Sequence, residues 1–180
     1  MMSTATMDTY ARRVVSGLNA EGKSVIMVDE ISPVRMALPA FVANDVWRAE
    51  TLPTTFEADA LGTTLELDPP PGGITVRLVT FVPDSWIDRE GYDKTIEQFH
   101  GADYKASGGG LAIGMHKMTT VDVDTVISGE LWCVFDSGEE TLLKQGDTII
   151  NRGTVHAWSN RTDQPATVVA VVCPVALSGA

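Results

Sequence analysis

The stretch that decides the fold opens with GLAIGMHKMTTVDVDTVISGE (residues 110–130) and closes with GDTIINRGTVHAWSN (residues 146–160). Two of the three histidines of the chain, His116 and His156, lie in these two passages. Both passages combine β-branched residues with flanking glycines, a composition typical of strands. The sequence therefore predicts that each histidine lies on a β-strand.

The polar residues around His116 recur with the period of a strand. Side chains of a strand alternate between its two faces, so one face is predicted to carry His116, Met118, Thr120 and Asp122. The other face is predicted to carry Val121, Val123 and Ile127. If the sheet closes into a barrel, the polar face turns towards an interior cavity instead of bulk water.

The rest of the chain supplies the other strands of such a barrel. A hairpin is predicted from RRVVSGL and KSVIMVDE, which flank the turn-forming residues 19–22. Two further strands are predicted in AFVANDVWRAET and ITVRLVTFVP, before and after the turn DPPPGG. Beyond the first histidine, short strands follow at even spacing: ELWCVFD, EETLLK, DTIIN, VHAWSN and ATVVAVVCPV. This pattern predicts an all-β antiparallel sandwich or barrel.

One segment, residues 84–109, departs from the strand pattern. A short helix is predicted from about Tyr92 to Phe99, with Gly101 as its stop. His100 lies at the end of this helix, and its role is open between closing over the cavity and facing solvent. The glycines 108–110 supply hinge freedom beside the strand of His116, so the segment is interpreted as a lid.

Composition narrows the class of protein. The chain has 180 residues, of which 44% are hydrophobic and 21% charged, and this predicts a single globular domain over residues 1–180, with residues 1–9 disordered. The formal net charge is −11, and the sequence contains no cluster of Lys and Arg. Nucleic acid and anionic membranes are therefore disfavoured as partners.

Compartment is predicted from the cysteines and from apolar runs. Only two cysteines are present, Cys133 and Cys173, and both lie in apolar runs, which indicates buried free thiols in a reducing compartment. The N-terminal residues MMSTATMDTYARR have no apolar core of signal-peptide length, and no apolar run approaches the roughly 18 residues of a membrane span. A cytoplasmic location is expected.

Two motifs in these passages resemble those of the cupin superfamily, the small jelly-roll β-barrels. The first cupin motif is a glycine, five residues, HxH, three or four residues, Glu, six residues and a glycine. The chain keeps this spacing with Gly110, His116 and Gly129, but places Met118 at the second histidine and Asp122 at the glutamate. The second motif is matched by Gly146, Asp147, Gly153, His156 and Asn160, with one residue fewer and with Arg152 in place of the usual proline.

This resemblance implies a cupin-type double-stranded β-helix with a site in the barrel. Cupins usually hold a divalent metal ion with three histidines and a glutamate. His116, Asp122 and His156 are the candidate ligands here, for Fe, Mn, Ni or Zn, because imidazole and carboxylate ligands leave coordination positions open for substrate. The thioether of Met118 is a poor ligand for such ions. Met118, Thr120 and Trp158 are candidate pocket residues, and a homodimer through the N-terminal strands is expected by resemblance.

Three functions stay open at this point. The first is a metal-dependent oxidoreductase or lyase that acts on a small oxygen-bearing organic molecule. The second is a metal-free isomerase, dehydratase or epimerase that uses Asp122 and His156 as an acid–base pair. The third is a small-ligand-binding protein without catalysis. For single residues the structural alternatives are that Asp122 lies at the barrel rim with Asp124 as its solvated neighbour, and that Trp158 only packs beneath the barrel.

Overall fold

The architecture is almost entirely β-structure. The computed structural model describes residues 7–55, 59–90, 92 and 112–175. These residues form one 3-10 turn, Asp84–Trp86, and twelve strands. In chain order the strands are β1 Arg12–Leu18, β2 Ser24–Ile31, β3 Arg35–Ala37, β4 Phe41–Ala49, β5 Ile74–Phe81, β6 His116–Lys117, β7 Thr120–Ser128, β8 Glu130–Phe135, β9 Glu140–Lys144, β10 Thr148–Arg152, β11 Val155–Ser159 and β12 Ala166–Pro174.

The strands form two large antiparallel sheets and one separate hairpin. A six-stranded sheet has the order β10-β7-β12-β5-β4-β3, and a four-stranded sheet has the order β6-β11-β8-β9. The main core cluster joins the two sheets, since it combines Val126 of β7 and Val168 of β12 with Leu131 and Cys133 of β8. The sheets therefore pack face to face as a jelly roll, which confirms the predicted all-β class.

The predicted strands are present, with one interruption. The strand expected from His116 onward divides into β6 and β7, which are separated by Met118 and Thr119. Beyond this break, β7 alternates strictly, with Thr120, Asp122 and Asp124 buried and the intervening residues more exposed. The turn after β7 requires glycine, because Gly129 has φ +74° and a Cβ there would lie 2.8 Å from Cβ of Ala166.

The hairpin of β1 and β2 forms a two-stranded sheet of its own. Its strands are joined by a bidentate ion pair between Arg12 and Asp29. Several of its apolar side chains are exposed: Val14, Leu18, Ile26, Met27 and Ile31. Just before the hairpin, the carbonyl groups of Met7 and Thr9 accept hydrogen bonds from Arg35, so this part of the segment expected to be disordered is tied to β3. Residues 1–6 lie outside the described residues.

The predicted lid lies largely outside the described residues. This applies to the helix beyond Tyr92, to His100 and to the glycines 108–110. Tyr92 itself is buried and packs with Ala40, Phe41 and Ile113. In the described part of the chain, no helix has the length and apolar character needed to cross a lipid bilayer.

Candidate functional site

A cavity with a volume of about 110 Å³ opens between the two sheets. The four-stranded sheet contributes His116, His156 and Trp158 to its wall, and the six-stranded sheet contributes Arg77, Asp122 and Asp124. One water needs about 10–15 Å³ of such volume, so the cavity has room for several waters or for a small organic molecule in their place. The cavity therefore gathers titratable side chains from both sheets around one space that is partly open to solvent.

The two motif histidines are neighbours across a strand pair. Antiparallel pairing of β6 with β11 sets His116 directly opposite His156. Their ring centroids are 4.6 Å apart, with an angle of 53° between the ring planes. His156 is buried and His116 is half-buried. The structure thus places both imidazoles on the cavity face of the same sheet.

Each imidazole is oriented by a backbone carbonyl. Nδ1 of His116 lies 2.7 Å from the oxygen of Gly114, and Nδ1 of His156 lies 3.1 Å from the oxygen of Thr154. A carbonyl oxygen can only accept, so in both rings Nδ1 carries the proton and donates it. The lone pair of each neutral ring is then on Nε2, the arrangement that suits a general base or a metal ligand.

Asp122 is a buried carboxyl on the same cavity. Its side chain is buried, and its Oδ1 has no hydrogen-bond partner among the described residues. Burial raises the pKa of Asp122, an effect that the Thr120 hydroxyl, His156 and Arg77 oppose. The Thr120 hydroxyl does not reach hydrogen-bonding geometry, since its Oγ1 is also without a partner in this part of the chain. A buried acceptor without a protein partner can accept a hydrogen bond from a bound ligand or a water.

The pKa of His156 is shifted in the opposite direction. Burial lowers the pKa of His156, and the hydrogen bond to Thr154 and the charge of Asp122 only partly offset this effect. His156 is therefore a neutral base near neutral pH. Because the pKa of Asp122 is raised and the pKa of His156 is lowered, the two groups become more similar in proton affinity, as acid–base partners do in enzymes.

Asp124 was not predicted as a site residue, yet it lines the same cavity. It is 5% exposed, so the alternative of a solvated neighbour is wrong. Burial and the adjacent Asp122 raise the pKa of Asp124 to about 7, while a hydrogen bond from Asn151 opposes the shift. The signal was available in the sequence, because Asp124 has the same parity on its strand as Asp122.

Arg77 is a second residue that the sequence interpretation missed. It is buried on β5 and lines the cavity. Its Nε lies 2.9 Å from Oδ1 of Asp45, and its Nη2 donates a 2.7 Å hydrogen bond to the carbonyl of Glu66. Asp45 is 2% exposed, so the pair is an ion pair shielded from water.

The motif asparagine has a structural role on the cavity rim. Asn160 is buried, and its Nδ2 donates to the carbonyls of Phe81 and Gln164. The backbone amide of Asn160 donates to Asp84, which also accepts a 2.6 Å hydrogen bond from the Ser159 hydroxyl. These contacts connect the end of β11 to the 3-10 turn.

The remaining candidate pocket residues divide into two groups. Met118 and Trp158 line the cavity. Trp158 meets His156 edge to face at 6.1 Å and packs on Phe81 at 5.8 Å between ring centroids. Thr120 is buried at the start of β7 and is not among the lining residues.

The donor set for a metal ion is incomplete in the described part of the chain. Among residues 7–55, 59–90, 92 and 112–175, no group of three or more His, Cys, Asp and Glu side chains is placed to hold a metal ion. His116 and His156 offer two suitable nitrogens, but Asp122 does not complete the set of three expected from the sequence. A site of two imidazoles beside a thioether is a poor fit for a tightly held hard divalent ion.

Comparison with known proteins supports the cupin interpretation. No family model matches the chain. The chain is 25% identical over 156 residues to the cupin-domain-containing oxidoreductase virC of Hypocrea virens. The aligned region covers 83% of this chain and 67% of that protein. It is 46% identical over 48 residues to phomopsin biosynthesis cluster protein C' of Diaporthe leptostromiformis, which covers 27% of this chain. That match spans only 25% of the length of the Diaporthe protein.

Solved structures with a similar fold include a cupin 2 conserved barrel domain protein from Salinispora arenicola. Its TM-score is 0.43, with 15% sequence identity over 75% of this chain and 76% of that one.

Proposed function

We propose that the chain, which is similar to cupin-domain-containing proteins, is an enzyme that transfers protons on a small oxygen-bearing organic molecule bound in the barrel cavity. The acid and base are Asp122 and His156, and the reaction class is isomerisation, dehydration or epimerisation. His116 and Trp158 form the wall next to the base.

One observation carries this proposal. Asp122 and His156 face one cavity from opposite sheets, and burial shifts their pKa values towards each other. Burial of the Asp122 carboxylate destabilises the fold, because the charged form loses its hydration. Retaining Asp122 with an unpartnered Oδ1 is consistent with a ligand that supplies the missing hydrogen bond.

The geometry supports a simple proton balance. Nε2 of neutral His156 accepts a proton from the carbon next to a substrate carbonyl, or from a substrate hydroxyl. Asp122, in the fraction that its raised pKa keeps protonated, donates a proton to the carbonyl oxygen, or to a departing hydroxyl that then leaves as water. The carbonyl of Thr154 holds the Nδ1 proton of His156 throughout and stabilises the imidazolium that forms.

Deuterium exchange tests this proposal without knowledge of the natural substrate. The protein is incubated in D2O with small aryl ketones and β-hydroxy ketones, and incorporation at the carbon next to the carbonyl is followed by mass spectrometry. We expect exchange that falls at least tenfold in His156→Gln and in Asp122→Asn. The control Asp29→Asn, in the exposed pair with Arg12, should exchange like the wild type. Equal exchange in all four proteins would contradict the proposal.

A second candidate function is a metal-dependent oxidoreductase. It is favoured by the pairing of β6 with β11, which brings the imidazoles of His116 and His156 to one cavity. The relative from Hypocrea virens, described as a cupin-domain-containing oxidoreductase, adds support. Elemental analysis of untagged protein for Fe, Mn, Ni and Zn tests it: metal content should fall in both His116→Ala and His156→Ala. Metal content that is unchanged in both variants would exclude these residues as ligands.

A further inference from the structure

The charges around the cavity limit the class of ligand that it can hold. Arg77 is the only permanently charged cation among the described residues of the cavity wall. Its charge is already compensated, since Asp45 lies 2.9 Å from Nε and the carbonyl of Glu66 accepts from Nη2. Arg77 therefore offers little attraction for an additional anion.

Acidic groups make up most of the remaining polar wall. Asp84, Asp122 and Asp124 all line the cavity. Asp84 is engaged by Ser159 and Asn160, whereas Oδ1 of Asp122 has no partner among the described residues. A carboxylate or phosphate ligand placed here would be repelled by whichever of these carboxyl groups are ionised, across a few Å of poorly screened space where repulsion between like charges is several times stronger than in water.

The apolar part of the wall is rich in aromatic rings. The ring centroids of Phe41 and Phe81 are 6.0 Å apart with the planes tilted by 49°, and those of Phe81 and Trp158 are 5.8 Å apart with a tilt of 37°. Aliphatic side chains complete this surface: Val79, Val82, Ile87 and Ile113. Such a surface binds aromatic rings through area burial and edge-to-face contacts.

We infer that the ligand is a neutral molecule with an aromatic or similarly flat apolar body that carries hydroxyl or carbonyl oxygens, and that carboxylates and phosphates are rejected. The flat body lies against Phe41, Phe81 and Trp158, while the oxygens reach Asp122 and the histidine pair. This inference names the substrate class of the proposed enzyme and rests on the same cavity, although it does not require the proton-transfer step.

A matched pair of probes tests the inference. 4′-Hydroxyacetophenone and 4-hydroxybenzoate share the aromatic ring, the phenol and the carbonyl carbon. The ketone carries a neutral methyl group on that carbon where the benzoate carries a charged oxygen. Dissociation constants are measured at pH 7.5 from the chemical shifts of the tryptophan indole N–H groups, with Trp158→Phe used to assign the reporter in the cavity. We expect the neutral probe to bind at least tenfold more tightly. Equal affinity, tighter binding of the benzoate, or no binding of either probe would overturn the inference.

A second test of the inference is a variant that should gain affinity for an anion. Asp45→Asn removes the counter-ion of Arg77 without adding bulk, so affinity for 4-hydroxybenzoate should rise at least tenfold while affinity for the ketone changes little. Asp29→Asn changes the net charge by the same amount at an exposed site and should leave both affinities unchanged. A folded Asp45→Asn protein without this gain would show that Arg77 is not the compensated group. If this variant does not fold, the wild-type comparison decides alone.

These outcomes can be separated from those of the proposed function. A preference for the neutral probe without any deuterium exchange would leave the substrate class standing and remove the catalytic role. Catalysis on a carboxylate substrate would do the reverse.

Discussion

The imidazoles of His116 and His156 form a cross-strand pair with ring centroids 4.6 Å apart, and each ring donates its Nδ1 proton to a backbone carbonyl. Two residues from separate sequence motifs thereby present the same ring atom to one cavity.

The titration of His156 should depend on Asp122. Burial lowers the pKa of His156, and the negative charge of Asp122 raises it. In histidine NMR titrations, we therefore expect a midpoint for His156 below the ordinary 6.5, and a still lower midpoint in Asp122→Asn. The nitrogen shifts should also report Nδ1 protonation of the neutral ring. A midpoint that rises in Asp122→Asn would contradict the arrangement.

The buried carboxyl of Asp124 should make the protein less stable as pH rises. Its pKa is raised to about 7 from the ordinary value of 3.8, so the native state keeps a proton that the unfolded state loses between these two values. The free energy of unfolding therefore falls across this window, and the full penalty is present above pH 7. Asp124→Asn should be more stable than the wild type at pH 8, by a few kcal/mol, on the order of the linkage energy of such a shift.

The stability difference should shrink towards pH 4, which urea unfolding at several pH values can measure. Asp29→Asn serves as the control, because Arg12 lowers the pKa of Asp29 and the substitution should not stabilise the protein at high pH. If the free energy of unfolding of Asp124→Asn depended on pH in the same way as that of the wild type, a group other than Asp124 would be responsible for the titration.

Gly114 should be required for the orientation of His116. Its φ is +74°, and a Cβ there would lie 2.6 Å from the Tyr92 hydroxyl oxygen. Gly114→Ala combines backbone strain of about 1–2 kcal/mol with displacement of Tyr92. We expect loss of stability together with a changed nitrogen shift for Nδ1 of His116.

Gly138→Ala is the matched control for this substitution. Gly138 also has a positive φ, +86°, but a Cβ there would meet no atom within 4 Å. It should lose stability through strain alone and leave the His116 signals unchanged. Similar His116 spectra in both variants would argue against a positioning role for Gly114.

The hairpin of β1 and β2 should lie in a homodimer interface. A two-stranded sheet alone is marginally stable, and this one exposes Leu18, Ile26 and Met27 by more than half. We expect light scattering to give a dimer, and Ile26→Glu to shift it towards monomer. Ile150→Glu, at a residue 51% exposed on β10, should leave the mass unchanged. A wild-type monomer at micromolar concentration would contradict this prediction.

Much of the fold was accessible from local sequence pattern. Alternation and turn glycines predicted the strands of the second half, because these signals act over a few residues. The inward face of β7 followed from the same alternation, and extending it by one step would have found Asp124. Arg77 was harder to recognise: its partner Asp45 lies on another strand, and only the pairing of β4 with β5 brings the two together. The pairing of His116 with His156 likewise depends on strand order, which a short-range pattern does not encode.

Asp122 and His156 belong to different sheets, and this division has a consequence for how the barrel would discriminate between molecules by thickness. A ligand bound between the two sheets sets the distance between them, and with it the distance over which a proton must be transferred. A ligand slightly too thick would move the sheets apart and slow proton transfer without contacting Asp122 or His156. Selectivity would then depend on how easily the two sheets separate as much as on the residues that line the cavity.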